Sequence, residues 1–346
     1  MQNIHNRLVI LDKKIGNYDT IFSLLFSKLT NQNFNFFDIG ARNGSFILPK
    51  QYAEQTTIFG FEPNPDEFIK LKDNKTDALM IGIKEFNFKK RSIFDTAIYE
   101  KKCKKKIFIT KGEGAVTLMG PANKKIVSNL SISNNDEKNF YDKVFQISEE
   151  KTVKCDKLDN IWKKNEYIDF LKLDTEGSEL SILKGTSKLL KKKRILLIKS
   201  EFIHTPYYKD HSLLGHQQVF LNKFGYRLIY VENNHLGYSW KKTKINSEYD
   251  KRFQYAGDAY YIVDPDLHKF SKEEYLRLGL ICLALGFNSS GINFIKDSNY
   301  FSRKITSRIE ELATVPSISR FLANEWKKIP AKVLNYLYSL KKILNI

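Results

Sequence analysis

The residues best suited to chemistry are four carboxylates, each at or near the end of a short apolar run. They are Asp38, Glu62, Asp174 and Glu201. Such runs are typical of buried strands, and open α/β sheets bind ligands outside the carboxyl ends of their strands. There a carboxylate can hold the hydroxyls of a ribose, favour a positively charged ligand or take up a proton as a general base. These acids therefore predict a binding and reaction site at one edge of a sheet.

The first acid opens a glycine turn with the spacing D-x-G-x-x-x-G, from Asp38 through Gly40 to Gly44. The glycines allow a sharp turn and a close approach to a ligand. An apolar run from residue 46 to 48 predicts a helix after the turn. The spacing is not the G-x-G-x-x-G of nicotinamide and flavin folds. We expect Asp38, Gly40, Ala41 and Gly44 to line a cofactor, although a purely structural turn would use the same glycines.

The second acid lies at the spacing expected for a ribose ligand. Glu62 follows Asp38 by roughly the 20 residues at which doubly wound folds place the carboxylate that holds the ribose of an adenosyl group. Pro63 stops the strand, and the acids at 66–67 favour the start of a helix. We expect Glu62 and Pro63 to contact the cofactor. The alternative for Glu62 is a solvated acid at a strand end.

Alternating apolar runs and helical periods predict an α/β fold with a mostly parallel sheet. Residues 77–85 fit either a helix or a strand. Residues 111–150 form a long irregular insert, which is either a lid or substrate loop or a surface excursion. A helix is expected at 17–30, and strands at 33–37, 57–62, 91–99, 107–110, 169–174, 195–198 and 258–263.

Length and composition narrow the class of protein. The 346 residues, 42 % of them hydrophobic, are enough for a full core and more than one minimal domain. The three cysteines lack C-x-x-C spacing, which favours a reducing cytoplasm and argues against a disulfide framework or structural zinc. The N-terminus lacks the apolar core of a signal peptide, and the longest apolar run, 278–287, is about half a membrane span. We expect a cytoplasmic protein that is soluble or peripheral to a membrane.

The formal charge of +18 raises the question of nucleic-acid binding. Lysine greatly outnumbers arginine, and the lysine runs at 101–106, 191–194 and 241–244 fall at predicted turns or helix ends. No nucleic-acid motif accompanies them. Solvated faces explain the charge better, and no nucleic-acid partner is expected.

The string K-L-D-T-E-G-S-E-L-S-I-L-K-G at 172–185 resembles the hallmark of the FkbM family of methyltransferases. The similarity extends back through 154–159 to the motifs of Asp38 and Glu62. It extends forward through 195–201 to Gly225-Tyr226-Arg227-Leu228 and covers roughly residues 34–263.

The resemblance implies a class I methyltransferase domain, with a Rossmann-like seven-stranded, mostly parallel sheet flanked by helices. It implies S-adenosylmethionine as cofactor and a sugar or another small hydroxylated molecule as the usual methyl acceptor. By the same resemblance, Asp38, Gly40 and Gly44 line the cofactor and Glu62 holds its ribose.

The resemblance also places Asp174, Glu176 and Gly177 beside the methyl group to be transferred. One departure is Arg42, where many members have asparagine. A cation there is unfavourable beside a sulfonium unless it turns away, toward solvent or an acidic partner.

A sugar hydroxyl is weakly acidic and benefits from a positioned base. Asp174 is our first choice, since it follows the fourth core strand, and Glu176, Glu201 and His204 are the alternatives. Glu176 would otherwise cap the turn, and His204 would be a loop residue. The three carboxylates would suit Mg²⁺ if they converged, but nothing in their spacing demands a metal and none is predicted.

Three functions compete at this stage. The favoured one is an O-methyltransferase acting on a glycan, as in polysaccharide biosynthesis, or on a small molecule. A nucleic-acid methyltransferase is favoured by net charge alone. A non-enzymatic adenosyl-binding module would follow if Asp174 or Glu62 were misplaced in the fold.

The domain organisation is predicted as a methyltransferase domain at 1–264, with its motif-bearing core at 34–263, and a helical extension at 265–346. In the extension, residues 274–285 have a helical period, 286–291 predict a break, and 332–344 form a basic amphipathic helix. This last helix would rest on the inner surface of an anionic membrane, or pack on the protein's own domain or on a second copy. The sequence sets no oligomeric state.

Overall fold

The computed structural model describes ten stretches of the chain. They are residues 18–29, 33–45, 47–80, 87–112, 114–129, 141–209, 211–233, 237–238, 253–254 and 256–314. The chain divides into two compact units, one of residues 32–300 and one that combines residues 1–31 with 301–346. The predicted basic helix at 332–344 lies outside the described residues.

The strands alternate with helices along the chain, as the sequence predicts. They are β1 (Phe34–Ile39), β2 (Thr56–Phe61), β3 (Lys90–Phe94), β4 (Ala97–Ile98), β5 (Cys103–Thr110), β6 (Ile147–Asp156), β7 (Ile168–Leu173), β8 (Ile195–Ile203), β9 (Tyr226–Asn233), β10 (Gly237–Tyr238), β11 (Phe253–Gln254) and β12 (Ala256–Val263).

Most helices are short, and the longest follow the last strand. They are α1 (Tyr18–Phe26), α2 (Lys50–Ala53), α3 (Pro65–Lys72), α4 (Asp77–Met80), α5 (Lys124–Asn129), α6 (Leu158–Ile161), α7 (Glu179–Gly185), α8 (Ser187–Lys191), α9 (Leu214–Asn222), α10 (Lys272–Ala284), α11 (Asn288–Ser298) and α12 (Arg303–Thr314), with a π-helical turn at Tyr141–Phe145. The segment that fitted a helix or a strand begins with the helix α4.

The main sheet has seven strands in the order β3-β2-β1-β7-β8-β12-β9. Neighbours from β3 to β8 are parallel, and β12 runs antiparallel between β8 and β9. Every residue of β1 is buried, as expected for a central strand covered on both faces. This sheet confirms the predicted fold class.

The strand order reverses between β1 and β7, which lie side by side although they are far apart in sequence. A reversal of this kind opens a crevice at the carboxyl ends of the two strands. Asp38 lies near the end of β1, and Asp174 directly follows β7. The fold therefore brings the first and third of the four strand-end acids to one place.

The described residues between β3 and β7, which include most of the insert predicted at 111–150, form regular structure and pack on the rest of the fold. β4, β6 and β5 form a second, three-stranded sheet. After β5, Ala115, Ala122 and Val127 pack with Phe145 in an apolar cluster that also holds Tyr208 from the segment after β8. The backbone N–H of Asn123 donates to the carbonyl of Tyr207 at 2.6 Å. The insert thus covers residues at the carboxyl edge of the main sheet.

Three local expectations were wrong. The single strand predicted at 91–99 is two short strands, β3 and β4, which belong to different sheets. Residues 47–49 are not helical, and α2 begins only at Lys50. Pro49 explains this, because a proline disfavours helical geometry in the residue before it. The break predicted at 286–291 is shorter, since Gly291 lies within α11. A β-carbon on Gly291 would lie 2.7 Å from the backbone nitrogen of Leu283, so this glycine allows α10 and α11 to pack closely.

Helix α10 confirms the predicted helical region after the last strand, and it packs on β7 and β8. Ser271 caps its first turn by accepting from the N–H of Glu274 at 3.2 Å. A buried ion pair fixes it to the sheet, because Arg277 Nη1 lies 3.0 Å from Asp169 Oδ1. Asp169 also accepts from the N–H of Asn35 at 2.7 Å. This cluster ties α10 to two central strands.

In the other unit, α1 and α12 contact each other, and α1 buries Ile21, Phe22 and Leu25. The helix predicted at 17–30 is thus present as α1. Among the described residues, no helix has the length and apolar content needed to cross a membrane.

Candidate active site

The glycine turn after β1 is shaped by a close contact with the end of β7. Gly40 has φ +89°, and a β-carbon there would overlap the backbone oxygen of Asp174. The Asp174 N–H donates to the carbonyl of Ile39 at 3.0 Å, and the Gly40 N–H donates to that of Phe61. Gly40 therefore allows the strand ends to meet. Gly44, with φ +80°, completes the turn through its N–H bond to Ala41.

Asp38 is fully enclosed at the base of this turn, with 1 % of its surface exposed. Ser45 Oγ donates to Asp38 Oδ2, and Lys172 Nζ lies 3.1 Å from Oδ1. Burial raises the pKa of Asp38, although Lys172 and Ser45 favour its charged form. Both of its oxygens are thus engaged by the protein, and its predicted contact with a cofactor stays a prediction.

Lys172 bridges the two strand ends, because its Nζ also lies 3.1 Å from Asp174 Oδ2. Burial alone would lower the pKa of Lys172, but Asp174 and Asp38 outweigh burial and raise it. Burial would likewise raise the pKa of Asp174, yet Lys172, with Lys199 further away, lowers it. Asp174 is therefore a carboxylate held in its charged form.

Asp174 also faces an open space. Its side chain is 47 % exposed, although desolvation by surrounding protein is still felt in its pKa. A group that is both crowded by protein and accessible to water lines a cleft. Lys199, the second cation acting on it, forms an ion pair with Asp258 at 2.9 Å.

Glu62 directly follows β2 and is 5 % exposed. Its Oε1 accepts from the backbone N–H of Asn64 at 2.8 Å, and Asn64 in turn caps α3 after Pro63. Oε2 has no hydrogen bond from any described residue. Burial raises the pKa of Glu62 to about 7, with a smaller rise from Glu67.

Arg42 turns toward acids on α3 and α4. Its Nε lies 2.9 Å from Glu67 Oε2, and its Nη2 lies 2.8 Å from Asp77 Oδ2. These two ion pairs account for the cation that the family resemblance made difficult to place. The two carboxylates neutralise the charge of the Arg42 guanidinium.

The loop after β7 is organised by a buried carboxylate. Glu179 Oε1 accepts from the N–H and hydroxyl of Thr175, at 2.8 and 2.7 Å, and Oε2 accepts from the N–H of Gly177 at 3.1 Å. Between them, Glu176 has φ +52°, a left-handed conformation that is costly for a side chain of this kind. Thr117 of the insert holds it by donating to the Glu176 carbonyl at 2.7 Å.

The Glu176 carboxylate is the group that this loop presents. It has no side-chain hydrogen bond from the described residues. Burial raises its pKa to about 8, with further increases from Asp174 and Glu179. Glu201, in β8, behaves similarly, since burial and then Glu176 and Asp174 raise its pKa well above the usual value. Three predicted catalytic acids are thus electrostatic neighbours.

The structure also describes the fourth candidate base and the surroundings of possible metal ligands. His204 is exposed and stacks edge-on against Phe202, with ring centroids 5.0 Å apart. In the part of the chain that the structure describes, no three His, Cys, Asp or Glu side chains come together as ligands for a metal ion.

Sequence reasoning missed four residues of this region. Lys172 and Glu179 stand in the recognised string, but their roles depend on contacts with Asp38 and with the loop backbone. Tyr208 and His211 follow β8, and both are buried beside the loop of Glu176. The only sequence signal for Tyr208 and His211 was the concentration of polar and aromatic residues at 204–212.

The site fits an adenosyl group. The Glu62 oxygen that lacks a protein partner can accept hydroxyl donors, and the turn at Gly40 leaves no side chain between the two strand ends. The carboxylates of Asp174, Glu176 and Glu201 suit a positively charged ligand. Glu62 would hold the ribose, and these acids would face the charged end. The fold and the site together define a class I, nucleoside-dependent transferase.

The sequence profile of the methyltransferase FkbM domain matches residues 38–228, which include all four strand-end acids. The chain belongs to this family of methyltransferases, and its cofactor is S-adenosylmethionine. A crystal structure of a S-adenosylmethionine-dependent methyltransferase from Clostridium acetobutylicum ATCC 824 aligns with 75 % of this chain and 99 % of its own, at 8 % identity and a TM-score of 0.28. Its likeness is too distant to add to the family assignment. No curated protein matches the chain.

Proposed function

We propose that this methyltransferase acts on a hydroxyl group of a sugar, a glycan or a small hydroxylated molecule. The observation that carries the proposal is the carboxylate of Glu176. It stands in a strained turn at the carboxyl end of β7, next to Asp174, and it has no hydrogen-bonding partner among the described residues. Strained residues are held in place at functional sites more often than elsewhere.

When bound, S-adenosylmethionine supplies a methyl group on a positively charged sulfur. The protein must hold the acceptor oxygen in line at near-attack distance, and this positioning is the largest expected contribution to the rate. A carboxylate whose pKa is about 8 is a better proton acceptor near neutral pH than an ordinary glutamate. In the proposed mechanism, Glu176 would accept the proton of the acceptor hydroxyl while the hydroxyl oxygen displaces a neutral thioether from the methyl carbon.

Asp174 was our first choice as the base, and the ion pair with Lys172 argues against it. A carboxylate paired at 3.1 Å with an ammonium, and with a lowered pKa, is a weaker proton acceptor. Its fixed negative charge suits electrostatic stabilisation of a sulfonium instead. Glu201 is the second candidate for the base, since it too lacks a side-chain partner among the described residues.

The test is transfer of a labelled methyl group from S-adenosylmethionine to pooled neutral methyl glycosides. We expect label in the carbohydrate and a rate that falls by about 100-fold or more in Glu176→Gln. Glu149→Gln, a change on the exposed face of β6, is the matched control and should leave the rate unchanged. Label transferred only to RNA or protein would overturn the proposal.

A cytoplasmic location with peripheral contact to the inner membrane remains part of the proposal. The basic amphipathic pattern at 332–344 supports it, because such helices bind anionic membrane surfaces. A lipid-linked glycan acceptor would lie at the same surface.

A further inference from the structure

The segment that follows β8 lies against the loop of Glu176. His211 is 7 % exposed, and its Nε2 is 3.0 Å from the position that a β-carbon on Gly177 would take. Tyr208 is 3 % exposed, and after burial the charges of Glu176 and Glu201 contribute most to its raised pKa. Tyr208 therefore lies within the electrostatic reach of two predicted catalytic acids, and His211 packs against the loop that carries Glu176.

Among the described residues of this segment, three buried polar atoms have no hydrogen-bond partner in the part of the chain that the structure describes. They are Tyr208 Oη, His211 Nδ1 and Ser212 Oγ. Folded proteins leave few buried polar groups unpaired, because each costs about 1–3 kcal/mol of lost solvation. Such a concentration within five residues, beside two carboxylates that also lack partners among the described residues, indicates a ligand with several hydrogen-bonding groups.

The segment is held rigidly. Tyr207 and Tyr208 pack at a tilted angle with centroids 4.8 Å apart, and Tyr207 meets Phe145 of the insert edge-on at 5.4 Å. His211 packs on both tyrosines. The unpaired atoms are thus fixed in direction by aromatic packing, as a preorganised binding site requires.

The charges around these atoms select against anions. Asp174 is held in its charged form, and after burial its charge is the largest cause of the raised pKa of Glu176. The neighbouring cations Lys172 and Lys199 are already in ion pairs. Burial lowers the pKa of His211 to about 4, so this ring adds no positive charge at neutral pH. A phosphate or carboxylate near the reacting oxygen would therefore lose its solvation and face the charge of Asp174 without a free cation among these residues.

We infer that Tyr208 and His211 bind the methyl acceptor, and that the part of the acceptor around the methylated hydroxyl is an uncharged, polyhydroxylated ring. This rests on the proposed function and makes it more specific. Tyr208 Oη donates to one acceptor oxygen, and Glu176 and Glu201 accept from its hydroxyls. A uronate or a phosphorylated ring is disfavoured by burial and by the charge of Asp174.

The experiment compares two ligand pools in the presence of S-adenosylhomocysteine. One pool holds neutral methyl glycosides of the common hexoses and deoxyhexoses, and the other holds the matching uronates. Saturation-transfer NMR on the full chain measures binding of each pool. We expect a signal from at least one neutral sugar and none from the uronates. Equal signals from both pools would overturn the charge argument.

Tyr208→Phe should then weaken binding of that neutral sugar by about 10-fold, with cofactor affinity unchanged. Tyr261→Phe is the matched control, because Tyr261 Oη is also buried and unpaired but only burial acts on its pKa. It should bind as the wild type does. Equal effects of the two variants would overturn the assignment of Tyr208.

The two proposals fail in different ways. If neutral sugars bind and are methylated but Tyr208→Phe and His211→Ala behave as the wild type, the proposed function stands and this inference falls. If the folded, cofactor-binding protein shows no signal from any neutral sugar, this inference falls, whereas the proposed function falls only if label is transferred to RNA or protein alone.

Discussion

Gly40 and Asp174 approach so closely that residue 40 has no room for a side chain, since a β-carbon would overlap the Asp174 backbone oxygen. This contact joins the turn after β1 to the loop after β7. Backbone atoms thus hold together the two parts of the candidate site, the glycine turn after β1 and the loop after β7.

Gly40→Ala should therefore damage both folding and cofactor binding. The left-handed conformation alone costs an alanine about 1–3 kcal/mol, and the overlap forces the strand ends apart. Calorimetric titration with S-adenosylmethionine and urea unfolding measure the two losses. Gly215→Ala is the control, because a β-carbon there meets nothing within 4 Å, and it should leave both quantities nearly unchanged. Full cofactor affinity in Gly40→Ala would contradict this account of the turn.

Glu62→Gln should weaken S-adenosylmethionine binding by about 10–100-fold, because hydrogen bonds to a charged acceptor contribute roughly 1.5–3 kcal/mol. The pKa of about 7 adds a pH dependence in the free protein. Wild-type affinity should fall as pH drops below about 7, since protonation removes the carboxylate, and the variant should lose this dependence. Glu54→Gln, at an exposed position, is the control. A pH-dependent variant would assign the titration to another group.

The rate of methyl transfer should rise with pH up to about 8. A general base acts only when ionised, and burial raises the pKa of Glu176 to about 8, so lowering the pH protonates it and slows the reaction. Glu176→Gln should remove this limb along with most of the rate. Asp174→Asn should keep the limb, and its cofactor affinity should fall because a charge near the sulfonium is lost. If the rise of the rate with pH persisted in Glu176→Gln and vanished in Glu201→Gln, the base would be Glu201.

Arg277→Met should lower the free energy of unfolding by about 3–5 kcal/mol, because it leaves the buried carboxylate of Asp169 without its cation. Asp169→Asn in the same chain should restore part of the loss. Lys106→Met removes an exposed ion pair with Glu150 and should cost less than about 1 kcal/mol. Urea unfolding of the four proteins measures these differences. A small loss in Arg277→Met would show that the pair is not needed to dock α10.

The basic amphipathic pattern at 332–344 stays a prediction about membranes. Vesicles with and without anionic lipid should sediment the full chain only when the anionic lipid is present. Leu337→Asp with Leu340→Asp should abolish this sedimentation, whereas substitutions of Asn335 and Ser339 on the polar side should not. Unchanged sedimentation of the leucine variant would favour packing of this segment on protein.

The strand-end acids were predictable because parallel strands of alternating β and α elements end at one sheet edge. The apolar runs before Asp38, Glu62 and Asp174 showed where the strands lie, and their order along the chain matched a doubly wound sheet. The helical region after residue 264 was predictable from the helical period of its apolar residues. These features depend on local patterns that a sequence displays directly.

The remaining features depend on contacts between distant residues. Lys172 is 3.1 Å from Asp38 across the strand reversal, and no local pattern reveals that distance. Gly291 suggested a break because a glycine weakens a helix, but helix packing overrode that preference. The positions of Tyr208 and His211 could not be predicted, because they depend on how the segment after β8 packs against the loop of Glu176.

The hydrogen bond from Thr117 to the Glu176 carbonyl has a consequence for how specificity can change. It links the reaction loop to the insert, whereas Glu62 is set by the N-terminus of α3. We therefore expect that exchange of the insert between relatives would alter the choice of acceptor and leave the cofactor-binding residues around Glu62 unchanged. Residue 117 is the junction that such chimaeras must preserve.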